Sequence, residues 1–289
     1  MLEKATMQRL ATIRYIYTMA VDQSSKPEPL NMVAILLFHD AAELFLALAS
    51  EYLNAGKTGQ AFMEYWEIIN QKLPGKDFAQ KDAMKRLNAA RTNFKHHAIV
   101  IAPAEIEAFR LSVAAFFSEN TQKVFAIDFD DISMSSLVLE DAVRTRLEEA
   151  DTLRSKGDIP AAIKEIAIAF QELLNRFKWR LFEEQQGFPF EPRAFSRHPS
   201  LSSLPRELSG FAEDVEKALS SLNEQIKILS LGIDYRSYVR FQWLTPPAHL
   251  MMGGNYVASG DGRVQSSQDY AFCYNFVIES ALHLQEFTM

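Results

Sequence analysis

The chain has one cysteine, Cys273, among 289 residues. A single thiol closes no intrachain disulfide and cannot build a cysteine-rich zinc site, which removes the small disulfide scaffolds and the zinc-finger folds. Glycine and proline are sparse, at 11 each, which disfavours turn-rich β architectures and favours long helices. The opening MLEKATMQRLATIRYIYTMA scatters Lys and Arg along its length and lacks a small-residue cleavage site, so no secretory signal is expected there. No uninterrupted run of about 18 apolar residues occurs, so no membrane span is expected, and a reducing cytoplasm is the expected location. A GxSxG elbow is missing, which leaves an α/β-hydrolase unsupported. The glycines of GGNYVASGDG (253–262) have neither a Walker lysine nor a Rossmann context and are read as shaping a loop.

What is present is apolar mass. Hydrophobic residues make up 48% of the chain, including 21 Phe, enough for a packed core. The net charge of −7 excludes a bulk nucleic-acid coat protein, but the charge is uneven. Residues 1–128 balance at 14 basic to 14 acidic, whereas residues 129–289 carry 16 basic and 23 acidic. Within the neutral half, residues 72–97 hold Lys72, Lys76, Lys81, Lys85, Arg86, Arg91 and Lys95 against Asp77 and Asp82 alone. Such a local basic field attracts phosphate whatever the global charge; a solvated helix face is the plainer account of it.

Periodicity predicts an all-α fold, a helical bundle with the possibility of two similar bundles in tandem. Helices are expected over 3–22, 31–54 (nearly all-round apolar, the centre of the bundle), 56–73, 77–95 with Leu87 and Ala90 inward, and 104–124 behind Pro103. Five helices make the first unit, residues 1–128. The second, residues 129–289, begins with a helical hairpin, 137–155 and 158–185, around Gly157-Asp158. A proline-rich loop follows, then helices over 207–230 and 266–287, with a mixed, Gly-rich stretch between them. Both halves open on a long hairpin and close on an apolar helix, a pattern that hints at a diverged duplication or a regulatory second domain.

The basic window ends in LNAARTNFKHH (87–97). Arg91 is followed after four residues by His96 and after five by His97. Cleaving RNA without a metal needs a base for the 2′-hydroxyl, an acid for the leaving 5′-oxygen and a cation for the crowded phosphate. Imidazole does either proton job near neutrality, and guanidinium binds phosphate oxygens with a planar fork. A second Arg-to-His spacing of the same kind, Arg193 to His198 in RAFSRH, falls in the proline-rich loop with no helix to fix it and is read as a decoy.

LNAARTNFKHH resembles the signature of HEPN domains, small α-helical bundles of which many are metal-independent endoribonucleases; the resemblance covers about residues 5–125. It implies Arg91 with His96 or His97 as catalytic residues, and Arg86, Asn93 and Lys95 as substrate-binding residues. It further implies a homodimer in which both protomers line one cleft, no cofactor, and products ending in a 2′,3′-cyclic phosphate and a 5′-hydroxyl. RNA is then the partner, and a role as a defence or toxin effector follows. Asn93 stands one place later than the family's usual polar neighbour of the Arg, with Thr92 in that slot. The alternative is a non-catalytic helical interaction or sensor protein, antitoxin-like or a scaffold, with a regulatory protein as partner.

Three other groups of residues invite a reading. His39, Asp40 and Glu43 lie on the apolar helix, and positions 39 and 43 share a face, a spacing that can bind metal. With one His and no repeated carboxylate pattern, a polar notch facing Arg91 is preferred, with Asp40 and Glu43 supporting the guanidinium. YRSYVRFQWLTP (235–246) interleaves Arg236 and Arg240 with Tyr235, Tyr238, Phe241 and Trp243. Such rings can stack bases, but packing on the last helix is the commoner fate. Cys273, within an apolar helix, is read as a buried small hydrophobe.

Overall fold

The computed structural model describes residues 2–56, 59–73, 75, 77–185, 206–264 and 266–285. The chain is mostly helical and divides into two compact units, Met1–Leu137 and Val138–Met289. The all-α expectation holds.

In the first unit α1 (Lys4–Ser24) leads through a 3-10 turn into α2 (Ala34–Tyr52). Helix α2 is the centre, in contact with α1, with the short α3 (Tyr65–Asn70), with α4 (Lys81–His97) and with α5 (Pro103–Phe125). Its Ile35, Phe38, Phe45 and Leu46 are fully buried, as its near-continuous apolar sequence requires. Phe45 meets the rings of Phe116, Phe117 and Phe125 edge-on at 5.4–5.7 Å, the geometry the ring quadrupoles favour. Leu30–Tyr52 is long and apolar enough to cross a membrane by length and composition alone, its 18-residue window having a mean hydropathy of 1.9, and 56% of that window is buried inside the fold. His39, Asp40 and Glu43 interrupt the apolar run without bringing that average down far.

Two helices are shorter than periodicity suggests, and both for tertiary reasons. The helix expected over 56–73 is confined to Tyr65–Asn70. Phe62 stacks on His39 at 4.4 Å, and Trp66 Nε1 donates to the Ala79 carbonyl at 3.2 Å. The helix expected from 77 starts at Lys81. Here the Phe78 amide is taken by Asn70 Oδ1 and the Ala79 amide by Asn120 Oδ1, while Gln80 turns left-handed at φ +66°. The left-handed Gln80 breaks the helical path, so α4 starts at Lys81.

The boundary lies at 137/138 rather than 128/129. Phe129 stacks on Phe117 at 4.5 Å, Ile132 is fully buried in the first core, and Arg14 donates to the Ile132 carbonyl. Residues 129–137 thus belong to the first unit by packing.

The second unit opens with the expected hairpin, α6 (Asp141–Ser155) and α7 (Ile159–Gln185). It turns at Gly157, φ +83°, a conformation only glycine adopts cheaply, and Asp158 Oδ1 accepts from the Ala161 amide at 3.1 Å. Helix α8 (Arg206–Ser230) precedes α9 (Tyr235–Leu244), whose N-terminus is capped by Asp234 accepting from the Ser237 amide at 2.7 Å. The Gly-rich stretch forms a two-stranded antiparallel hairpin, β1 (Ala248–Leu250) with β2 (Tyr256–Ala258), pairing Ala248 with Ala258. Helix α10 (Ser267–Gln285) closes the unit. Phe170, Phe241 and Phe276 of α7, α9 and α10 meet pairwise at 4.8–5.1 Å.

Candidate functional site

Helix α4 carries its apolar residues Met84, Leu87 and Ala90 into the core. On a 3.6-residue repeat this leaves Asn88, Arg91 and Lys95, at i, i+3 and i+7, along one flank. Asn88 and Arg91 are half-buried, whereas Arg86, Asn93, Lys95, His96 and His97 are exposed. Among the described residues none of the five cations Lys81, Lys85, Arg86, Arg91 and Lys95 forms an ion pair. The helix ends on Ala98 in the left-handed region, φ +51°, its amide bonded to the Phe94 carbonyl at 3.0 Å. Lys95, His96 and His97 make up the last turn, where positive charge suits the helix dipole.

Arg91 and the two histidines do not converge within one chain. His96 and His97 stand about 140° and about 120° around the helix from Arg91, on opposite sides, and about 7–9 Å further along the axis. No hydrogen bond joins them to Arg91 among the described residues. The Nε of Arg91 is buried and has no hydrogen-bond partner.

Opposite this flank, α2 presents His39, Asp40 and Glu43. The imidazole is 2% exposed and lies flat against Phe62. Its Nε2 stands 2.9 Å from Asn88 Oδ1. That amide oxygen only accepts, so Nε2 carries the hydrogen and Nδ1 keeps its lone pair. Nδ1 is itself buried without a hydrogen-bond partner. It sits 3.7 Å from Asp40 Oδ1 and 3.7 Å from Glu43 Oε2, too far for a hydrogen bond. Burial holds the His39 pKa below the usual imidazole value, and the Arg91 charge pushes the same way. The Asn88 hydrogen bond and the two carboxylates pull against them.

The polar notch thus forms, but its pairing differs from the one expected. Asp40 and Glu43 make no ion pair with Arg91; they flank the imidazole. The residue that periodicity did not bring forward is Asn88, whose i−3 spacing from Arg91 was the available signal.

Elsewhere, Arg193 and His198 lie outside the described residues. Phe241 packs on Phe276 of α10, as expected for the aromatic stretch, and Tyr238 is buried beside Phe170. Arg240 covers the Phe272 ring at 4.0 Å and pairs with Asp269, while Trp243 remains exposed under Arg263. Cys273 is fully buried, and burial pushes its thiol up to about 12, which makes it a poor nucleophile. A cavity of about 610 Å³ in the second unit is lined by Phe170, Asn175, Glu224, Tyr238 and His249. Comparison of the chain with protein-family models, with curated proteins and with solved structures gives no match in any of the three.

Proposed function

We propose that the first unit binds RNA and cleaves it by metal-independent attack of the 2′-hydroxyl, working as a homodimer in the manner of a toxin or defence effector. One observation carries the reading. Arg91 is held by its packing with a buried, unsatisfied N–H and, among the described residues, no carboxylate partner, on a helix whose other cations also form no ion pair with them. A charge left free in this way is available to a phosphate. His96 and His97, exposed on the last turn, supply the groups that move protons. Because they stand apart from Arg91 on one helix, the reading needs a second protomer whose histidines approach Arg91 across a two-fold axis. Arg86, Asn93 and Lys95 then hold flanking phosphates.

The test is cleavage of a labelled RNA in EDTA by wild type, Arg91→Ala, His96→Ala and His97→Ala. Loss in Arg91→Ala and in at least one histidine variant, with cyclic-phosphate ends in the wild-type products, is the expected result. Activity that survives Arg91→Ala removes the proposal.

A second reading, a non-catalytic helical interaction protein, is favoured by α8. Phe211, Val215, Leu219, Leu222, Ile226 and Leu229 recur at three- and four-residue spacing and are 36–67% exposed. Such a stripe is the seam of a helix–helix contact. Absence of cleavage together with RNA-independent self-association or partner binding selects this reading.

A further inference from the structure

Three electron-rich atoms of α2 converge at the solvent edge of the notch, one of them on a buried ring. His39 Nδ1, Asp40 Oδ1 and Glu43 Oε2 lie within 4.8 Å of one another. Acidic clusters alone are common on helices, but here the nitrogen is different in kind. It belongs to a side chain 3% exposed, it has no hydrogen-bond partner, and it lies 3.7 Å from each of the two carboxylates. A buried acceptor facing two further acceptors makes a cluster of lone pairs that a cation can satisfy.

We propose that His39, Asp40 and Glu43 form a binding site for one first-row divalent cation, such as Zn²⁺ or Co²⁺. The donor set of one imidazole and two carboxylates suits such ions. A cation about 2.1 Å from each ligand atom needs donor pairs roughly 3.0–4.2 Å apart. Both nitrogen–oxygen pairs meet this at 3.7 Å, and the two exposed carboxylates close the remaining pair by a small torsion. The rest of the arrangement matches what a metal-bound histidine requires. Nε2–H donates to Asn88 Oδ1 at 2.9 Å, which fixes the tautomer with Nδ1 as the ligand, and Phe62 holds the ring plane at 4.4 Å. The carboxylates, about half exposed, give the ion an entry path and leave its other positions to water. Neighbouring Arg91 repels any cation here, and the two carboxylates outweigh it. The site stands independently of the ribonuclease reading. It lies at the level of Asn88, about 12 Å along the axis from His96, and the ion organises the α2–α4 contact without entering the chemistry at the helix end.

The test is titration of the full chain, after chelation and desalting, with Co²⁺ and Zn²⁺. It is followed by calorimetry and by the visible absorption of bound Co²⁺. The expected result is one ion per chain. Asp40→Asn and Glu43→Gln, exposed positions that leave the helix intact by circular dichroism, should each weaken binding at least about tenfold, and Asn88→Ala should weaken it about 10–100-fold. The double variant His96→Ala/His97→Ala should bind as wild type does. Three results overturn the proposal: no binding by wild type, unchanged binding in both carboxylate variants, or loss of binding with the paired histidines. None of these readouts involves RNA, so failure here leaves the cleavage assay to be judged on its own.

Discussion

Asn120 offers the sharpest test of how α4 is held in place. This residue of α5 is 0% exposed. Its Oδ1 accepts from the Ala79 amide at 2.8 Å, and its Nδ2 donates to the carbonyls of Ala79 at 3.3 Å and Phe116 at 2.9 Å. The Ala79 carbonyl has a second donor in Trp66 Nε1, but the Ala79 amide has Asn120 alone. Asn120→Ala therefore leaves one part-buried N–H without its partner, at about 1–3 kcal/mol, and removes two further bonds worth about 1 kcal/mol together, one of them partly replaceable. A loss of about 3 kcal/mol is expected, which lowers the Tm of the first unit by about 10 °C. Because Ala79 immediately precedes the left-handed Gln80 that opens α4, the damage is expected to start there. Peptide-resolved hydrogen exchange should show residues 77–90 opening first, with urea denaturation giving the global change. Ser118→Ala, exposed on the same helix, is the control and should change stability by less than about 0.5 kcal/mol. A cost below about 1 kcal/mol for Asn120→Ala, or uniform exchange across the first unit, refutes the reasoning.

Three further outcomes are expected. Ala98→Gly and Ala126→Gly replace residues held at φ +51° and φ +56°; each should stabilise by about 0.5–1 kcal/mol, read as a rise in Tm, since relief of left-handed strain exceeds the added chain entropy. Cys273, with its thiol pushed up to about 12 by burial, should resist a thiol-specific reagent at pH 8 until the protein is unfolded. In sign, an acid whose pKa rises on folding costs no stability below its ordinary value of 9.0 and a growing amount as the pH climbs above it. A fragment ending at residue 137 should melt cooperatively and well above one ending at 128, because the shorter one loses the Phe129 stack and the buried Ile132; equal Tm values would move the boundary back.

Residues with a strong helical repeat read correctly. Ile106, Phe109, Val113, Phe116 and Phe117 line the buried face of α5, and Pro103 opens it. The hairpin at Gly157-Asp158 was equally legible, because both its positive φ and its capping carboxylate are local requirements. The start of α4 was not, since it is set by the left-handed Gln80 beside a segment held by Asn70 and Asn120, none of which periodicity reports.

The site divides along the same line. Arg91, His96 and His97 are visible as a spacing, and the basic window around them as composition, because both are properties of neighbouring residues. Whether a guanidinium is paired, and which atom of His39 is left without a partner, depends on what α2 sets opposite α4. Sequence alone determined the all-α class, the inward faces of the long helices and the charge of the α4 surface, all consequences of local periodicity and side-chain chemistry. Tertiary structure alone decided that Asn88 claims the imidazole, that Asp40 and Glu43 turn to its other nitrogen and that Arg91 Nε is buried without a hydrogen-bond partner, because burial and distance are set only when separate segments meet.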